Sequence, residues 1–472
     1  MLRQVRLVLI AGIVVVLLGA VAALLALNPP ASEDGGVSLK AADALDVVQV
    51  DIRNVHDTIS VSFTGEGYLV DDIPADLVDA PDLIDLLTYS GTVLTERTVT
   101  SEPRDLGLYG LSEPAARVAV TYADGSALAL LIGDVERVSD DTYFQVEGDP
   151  TVYLMASERC ASFLVPKKAF VEDLVTPELA LSSPLSALLD VTFSGGSLAA
   201  PVTVEAVASG DPNVARAAMS FGAPTHIVRG KGVYELDQTY GVEMLGALLG
   251  ITAGDIVGYN LTPAEIEAFG FDRPTMEVAF DLKNGLDAEV VHYELALLQK
   301  DGTTYMTRND DGVIYVVPAP AFLGLAYPKL LVRWFLSPLL IDVRRIVVTT
   351  GGETYDFVIT GETAAEKRVT CNGEDLDIER FRDLYRLLTS AAHDGRLLGN
   401  VVVQGPPLLE LTYHYIDEQK PPDVMSLYPG DARRLYVQIN GVTELAMEET
   451  YLERVQEALD ILWTDEPIET EW

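Results

Sequence analysis

Apolar residues fall at every second position in Arg117-Val118-Ala119-Val120-Thr121-Tyr122 and again in Glu277-Val278-Ala279-Phe280. That period predicts strands with one buried and one open face. Each is preceded by the same element. Tyr109-Gly110-Leu111-Ser112-Glu113-Pro114 leads into the first, and Phe269-Gly270-Phe271-Asp272-Arg273-Pro274 into the second. In both, the Gly suits a turn with positive φ and the Pro suits a strand entry. Alternating pairs flank turn residues at Tyr143–Val146 with Val152–Leu154, at Tyr305–Thr307 with Ile314–Val316, and at Tyr436–Ile439 with Val442–Leu445. Each predicts a hairpin. Apolar residues at helical spacing recur upstream: Leu83, Ile84, Leu86 and Leu87; Val242, Leu245, Leu248 and Leu249; Phe381, Leu384, Leu387 and Leu388. Each set predicts one amphipathic helix.

The repetition extends to the joins. Ile132-Gly133-Asp134 is echoed by Pro429-Gly430-Asp431, and Ser183-Pro184-Leu185 by Ser337-Pro338-Leu339. Modules of about 130–150 residues, an ordinary domain size, are therefore expected at 45–180, 184–333 and 338–472. The third is the most divergent, since Gly405-Pro406-Pro407 matches the aromatic-Gly element only loosely. The predicted fold class is α+β, with tandem modules of mainly antiparallel sheet and packed helices behind an N-terminal transmembrane helix.

That helix is expected from Leu7 to Leu27, 21 residues without a charge. At 1.5 Å per residue the run is long enough to cross a hydrocarbon core of about 30 Å. Arg3 and Arg6 precede it, which orients the N-terminus to the cytoplasm and the bulk outside. A cleaved signal peptide is the rival reading, with Ala20-Val21-Ala22 as its site, but Leu24, Leu25 and Leu27 carry the apolar run further. Residues 1–30 are thus expected to be an anchor and 31–44 a linker. Tyr327 to Ile341 is the next most apolar stretch, and Lys329 and Arg333 interrupt it, which fits a buried segment better than a span.

Charge narrows the function. The chain has 472 residues, with 32 Lys and Arg against 72 Asp and Glu, a formal net charge of −40. Nucleic-acid binding is not expected of such a surface. Two cysteines, Cys160 and Cys371, exclude a disulfide scaffold and a Cys-based zinc site, and buried free thiols are expected.

The element Tyr109-Gly110-Leu111-Ser112-Glu113-Pro114, together with Val118-Ala119-Val120, Leu131-Ile132-Gly133-Asp134 and the hairpin ending in Val152-Tyr153-Leu154, resembles a bacterial family called domain of unknown function 4340. The likeness is close over 45–165, moderate over 220–325 and weak over 340–465. Proteins of that family tend to be encoded beside ABC-type exporters related to those of gliding motility. The resemblance therefore implies an extracytoplasmic accessory role, with an ABC transporter permease or another envelope protein as partner. It implies no activity and carries over no catalytic residue.

A search for chemistry names no catalytic, cofactor-binding or metal residue and no cofactor. There is no phosphate-binding Gly-x-x-x-x-Gly-Lys loop. Phe193-Ser194-Gly195-Gly196-Ser197 lacks the order of a nucleophile elbow and is read as a turn, echoed by Thr350-Gly351-Gly352. His56, His226, His292, His393 and His414 form no metal-ligand spacing. Asp71-Asp72, Asp140-Asp141 and Asp310-Asp311 lack the pattern of a calcium loop and are read as turns. The sequence thus favours a non-enzymatic, membrane-anchored adaptor of an export or envelope complex. The alternatives are an envelope polysaccharide-binding receptor or a wall hydrolase with a composite carboxylate site, which needs two carboxylates about 5–10 Å apart.

Overall fold

The computed structural model describes residues 36–179, 184–207, 225–283, 288–363, 366–399 and 401–472. The expected anchor at 1–30 and the first part of the linker, residues 31–35, lie outside them. Among the described residues no helix is long and apolar enough to cross a membrane. The fold is mixed α+β, with several antiparallel sheets and few helices. The chain divides into two compact units after Glu172.

The first unit holds an eight-stranded sheet, and the second holds a nine-stranded and an eight-stranded sheet. At the centre of each, one long strand pairs with another that starts a meander: Val47–Asn54 with Ala116–Tyr122, Leu188–Gly195 with Met276–Lys283, and Val343–Thr350 with Leu409–Tyr415. The alternation seen in the sequence becomes alternation of burial. Val118 and Val120, Val278 and Phe280, and Leu411 and Tyr413 point into the core. The first strand of every sheet slips register at one place: between Val47 and Gln49, between Leu188 and Val191, and between Val343 and Arg345. An irregularity kept at the same point in three sheets belongs to the repeated design.

Helices cover the buried face of the sheets. Ala80–Gly91 starts where the Asp79 carboxylate accepts the Asp82 N–H, and Pro81 sits in the first turn, where its missing N–H costs nothing. Ile378–Leu388 is capped the same way, by Asp377. The second helix is shorter, Tyr240–Gly246, and Leu248 is buried in the turn beyond it. Ile84, on the predicted apolar stripe, is exposed instead, and Ser90 and Gly91 lie against the core.

All three hairpins form, at Thr142–Val146 with Val152–Met155, Thr303–Arg308 with Ile314–Val317, and Arg434–Ile439 with Val442–Glu448. An open edge beside them would invite pairing with other chains. Arg97–Thr100 closes it in the first sheet and Asp255–Gly258 in the second. In the third, an irregular segment substitutes: the Asp394 and Leu398 N–H groups donate to Ala446 and Glu444 carbonyls, and Ala446 N–H to Arg396.

Within the second unit a buried carboxylate joins the two sheets. Glu444, 5% exposed, accepts N–H groups from Lys231 at 3.4 Å and Gly232 at 3.2 Å, at the tip of the hairpin formed by His226–Arg229 and Val233–Glu235. Phe335 and His393 N–H groups donate to Ala391 and Arg333 carbonyls nearby. Burial, reinforced by Glu444, pushes the Tyr234 and Tyr327 phenols well above their usual range.

A polar shelf on the second sheet as candidate functional site

Most residues singled out by type serve the scaffold. Asp311 accepts the Val313 N–H at 3.0 Å, the Tyr315 hydroxyl at 2.8 Å and Arg308 Nε at 3.0 Å. Asp149 makes the equivalent latch in the first sheet, to Thr151 N–H and the Tyr153 hydroxyl, both at 2.9 Å. Lys167 reaches Asp72 at 2.8 Å and Asp71 at 3.9 Å. Gly195 and Gly196, like Gly351 and Gly352, take positive φ at the ends of their strands, as turns require. Cys160 and Cys371 are free and buried, and burial pushes their thiols up to about 12 and about 11.

The histidines are dispersed. His226 is buried, with Nε2 3.0 Å from the Leu188 carbonyl and Nδ1 3.0 Å from the Thr225 hydroxyl, and burial lowers its pKa. Burial also lowers His393 and His414. His56 is exposed. His292 alone stands between carboxylates, Nδ1 2.6 Å from Asp281 and Nε2 3.5 Å from Glu294, and its hydrogen bond to Asp281 raises its pKa.

That histidine belongs to a polar face the sequence search had not isolated. Four neighbouring strands, Leu188–Gly195, Met276–Lys283, Val290–Lys300 and Thr303–Arg308, turn their unburied side chains to one side. Ser194 lies opposite Glu277, Thr192 opposite Ala279, Ala279 opposite Glu294, Glu277 opposite Ala296, and Ala296 opposite Thr307. The result is a shallow pocket of about 340 Å³, floored by Ala279 and Ala296 and bordered by Glu277, Glu294 and Asn309. Asn309 takes positive φ, and its side-chain oxygen accepts the Glu294 N–H at 2.7 Å, which fixes that corner. Glu277 and Glu294 are diagonal neighbours, about 7–8 Å apart along the sheet. They project side by side from one open surface, whereas an acid/base pair flanks a scissile bond from two sides.

Beside the shelf runs a line of like charge. Asp190 pairs with Glu205 on one side and stands next to Asp281 across the register slip. Burial, then Glu205 and Asp281, raise the Asp190 pKa. Arg229 meets Glu205 at 2.5 Å at one end, and His292 meets Asp281 at the other.

The hallmark residues of the sequence converge elsewhere, in the first sheet. Gly110 ends the turn Leu106–Tyr109 at φ +68°, and a Cβ there would come within 2.7 Å of the Asp134 backbone nitrogen. A Cβ on Gly133 would lie 2.1 Å from the Tyr109 carbonyl oxygen. The Gly-Leu and Ile-Gly-Asp elements therefore touch backbone to backbone, with Leu111 buried between them. Tyr109 packs edge-on against Tyr143, ring centroids 5.1 Å apart. Gly270 also takes positive φ but a different conformation, +134° against +68°, and Phe269 packs edge-on against Tyr305 at 4.9 Å. Over residues 75–180 the chain matches the family model described as domain of unknown function (DUF4340).

The chain carries a DUF4340 domain.

No curated protein and no solved structure matches the chain. The residues that recur within the chain thus have a physical account. In the DUF4340 domain Gly110, Gly133 and Tyr109 hold the turn against the sheet, and Asp149 ties Tyr153 into the hairpin. The shelf, built from residues 192–309, lies outside the matched DUF4340 residues. The sequence had shown Glu277 and Ala279 on a strand. Their meeting with Glu294 and Thr307 depends on strand register, which no short motif encodes.

Proposed function

We propose that the protein is a non-enzymatic, membrane-anchored extracytoplasmic adaptor in an ABC-type export or envelope complex. The apolar run from Leu7 to Leu27 would be its anchor, with Arg3 and Arg6 on the cytoplasmic side. The observation that carries the adaptor reading is the use made of the repeated residues. In the first two sheets the glycines, aromatics and turn aspartates that recur are engaged in packing and latching, and the outer faces of the two sheets carry different residues. A scaffold repeated within the chain, with outer faces that differ from sheet to sheet, suits a protein that presents surfaces to partners. The exporter itself enters through the family resemblance. The receptor and hydrolase readings would both use Glu277 and Glu294, and the side-by-side arrangement of these carboxylates favours docking over bond cleavage.

Crosslinking in native membranes at native expression, followed by mass spectrometry of the adducts, tests this reading. A permease or another envelope protein in the adduct supports it. Recovery of the chain alone counts against it, and release of sugars from purified wall polymer by the full-length protein would move the assignment to the hydrolase.

A further inference from the structure

We infer that the shelf on the second sheet is a docking site for an arginine side chain presented by a partner polypeptide. The inference rests on the adaptor reading and names the chemistry that reading leaves open.

Three observations carry it. Glu277 and Glu294 border the shelf, and among the described residues neither meets a lysine or arginine; Glu277 takes the Ser194 hydroxyl at 3.4 Å and Glu294 the His292 ring at 3.5 Å. Thr307, only 8% exposed as a residue, lines the shelf, and no hydrogen bond to its hydroxyl forms among the described residues. At the edge of the open shelf that hydroxyl is free to accept from, or donate to, a polar group that comes from outside. Between these groups the floor is two methyls, Ala279 and Ala296, flat enough for a planar group to lie on.

The matching positions on the other sheets lack this set. Where the second sheet has Glu277 and Glu294, register places Arg117 and Ala129 in the first sheet and Glu410 and Val424 in the third. Arg117 has its own partner in Glu147 at 4.0 Å. The carboxylate pair is thus a local feature of one face and not a consequence of the acidic composition.

The ligand class follows from geometry. A calcium ion needs six to eight oxygens converging at about 2.3–2.6 Å, and two carboxylates about 7–8 Å apart on a flat surface do not converge. An ammonium is a compact point charge and reaches one of them. A guanidinium spreads five N–H donors over a plane, so it can donate to both carboxylates while its face rests on the alanine methyls. The carboxylate line of Glu205, Asp190 and Asp281 beside the shelf adds long-range attraction for the same sign of charge.

The test uses the full-length chain in detergent micelles, labelled at alanine methyls and titrated with N-acetyl-arginine amide. Expected are saturating shifts of the Ala279 and Ala296 methyls, with Ala119 and Ala129 unmoved. Titration with the neutral N-acetyl-citrulline amide should leave all four in place. In the Glu277→Gln/Glu294→Gln double variant the arginine affinity should fall by roughly tenfold or more. Thr307→Val should weaken it less, with the fold intact. Equal shifts with citrulline, shifts spread evenly over the acidic surface, or saturating shifts with calcium chloride at these methyls would each overturn the inference. Its failure is separable from that of the adaptor: membrane adducts formed through other faces with no arginine response here would remove this site alone.

Discussion

The first and second sheets share a plan and differ in what they show to solvent. In both, a strand with a register slip pairs with an alternating strand, an aromatic-Gly turn feeds that strand, and an aspartate latches a tyrosine in the hairpin. One row across the outer face reads Ser62, Gln49, Thr121, Ala127 in the first sheet and Glu205, Asp190, Asp281, His292 in the second. Neutral residues in the first row have become three adjacent carboxylates and a histidine in the second. Like charges on neighbouring strands oppose pairing, so the second sheet keeps an arrangement that its fold does not need. In the third sheet the corresponding positions are Val358, Arg345 and His414, and Arg345 is held by Asp356 at 2.7 Å. The buried faces keep one pattern through all three sheets while the open faces change sign.

The largest expected effect tests whether the buried faces are equivalent. Phe280→Ala should cost about 3–5 kcal/mol, and Val120→Ala, the matching position in the first sheet, about 1–3 kcal/mol, because fewer buried methyl groups are lost. Urea unfolding followed by circular dichroism reads both. A cost under about 1 kcal/mol at Phe280 would mean that the paired faces do not carry equivalent cores.

The turn before the alternating strand comes next. Gly110→Val should destabilise by about 1–3 kcal/mol, through positive φ and collision with the Asp134 backbone. At Gly270 the nearest obstacle is the Leu298 side chain at 3.0 Å, which can move, but φ +134° strains any L residue, so Gly270→Val should also destabilise, by about 1–3 kcal/mol. No cost at Gly270 would break the equivalence drawn between the two turns.

The latches separate the sheets more finely. Tyr315→Phe removes a hydrogen bond to a carboxylate that Arg308 also holds, in a fully buried ring, and should cost about 1.5–3 kcal/mol. Tyr153→Phe, at a slightly exposed ring, should cost about 0.5–1.5 kcal/mol by the same measurement. Equal costs would show that the arginine adds nothing.

The smallest effect is the pH response of two histidines in the second sheet. Burial lowers the His226 pKa, so its contribution is present above the unfolded value near 6.5 and is lost as pH falls through the folded value. Asp281 raises the His292 pKa, so that contribution is present below the unfolded value and is lost as pH rises through the folded one. His292 is exposed and its pair is screened by solvent. Melting temperatures of His226→Phe and His292→Gln between pH 5 and 8 should therefore move in opposite senses relative to the parent, more for His226. A larger acid dependence lost in His292→Gln than in His226→Phe would contradict the assignment.

How much of this was legible depended on range. Alternation at Val118-Ala119-Val120 and Val278-Ala279-Phe280 named strands, and the turn residues named hairpins, because both signals are local. The edge strands Arg97–Thr100 and Asp255–Gly258 escaped, being too short to show a period. The helix stripe misplaced Ile84, since a period gives a face but not the angle at which the helix meets its sheet. The shelf escaped for a different reason. Glu277 and Glu294 are 17 positions apart and meet only through antiparallel register, and Thr307 comes from a third strand. The repeated residues were conspicuous because they hold the scaffold, and the candidate site was inconspicuous because it is what the repeats do not share.

The most direct test of the central claim, that one scaffold presents different faces to partners, is photocrosslinking from one register position in three sheets. A photoreactive residue is placed at Ala119, Ala279 or Thr412, each on the outer face of its sheet, and irradiated in native membranes. The account predicts a strong adduct with an envelope protein from Ala279 and weaker or different adducts from Ala119 and Thr412. The same adducts in equal yield from all three positions, or none from any, would contradict it.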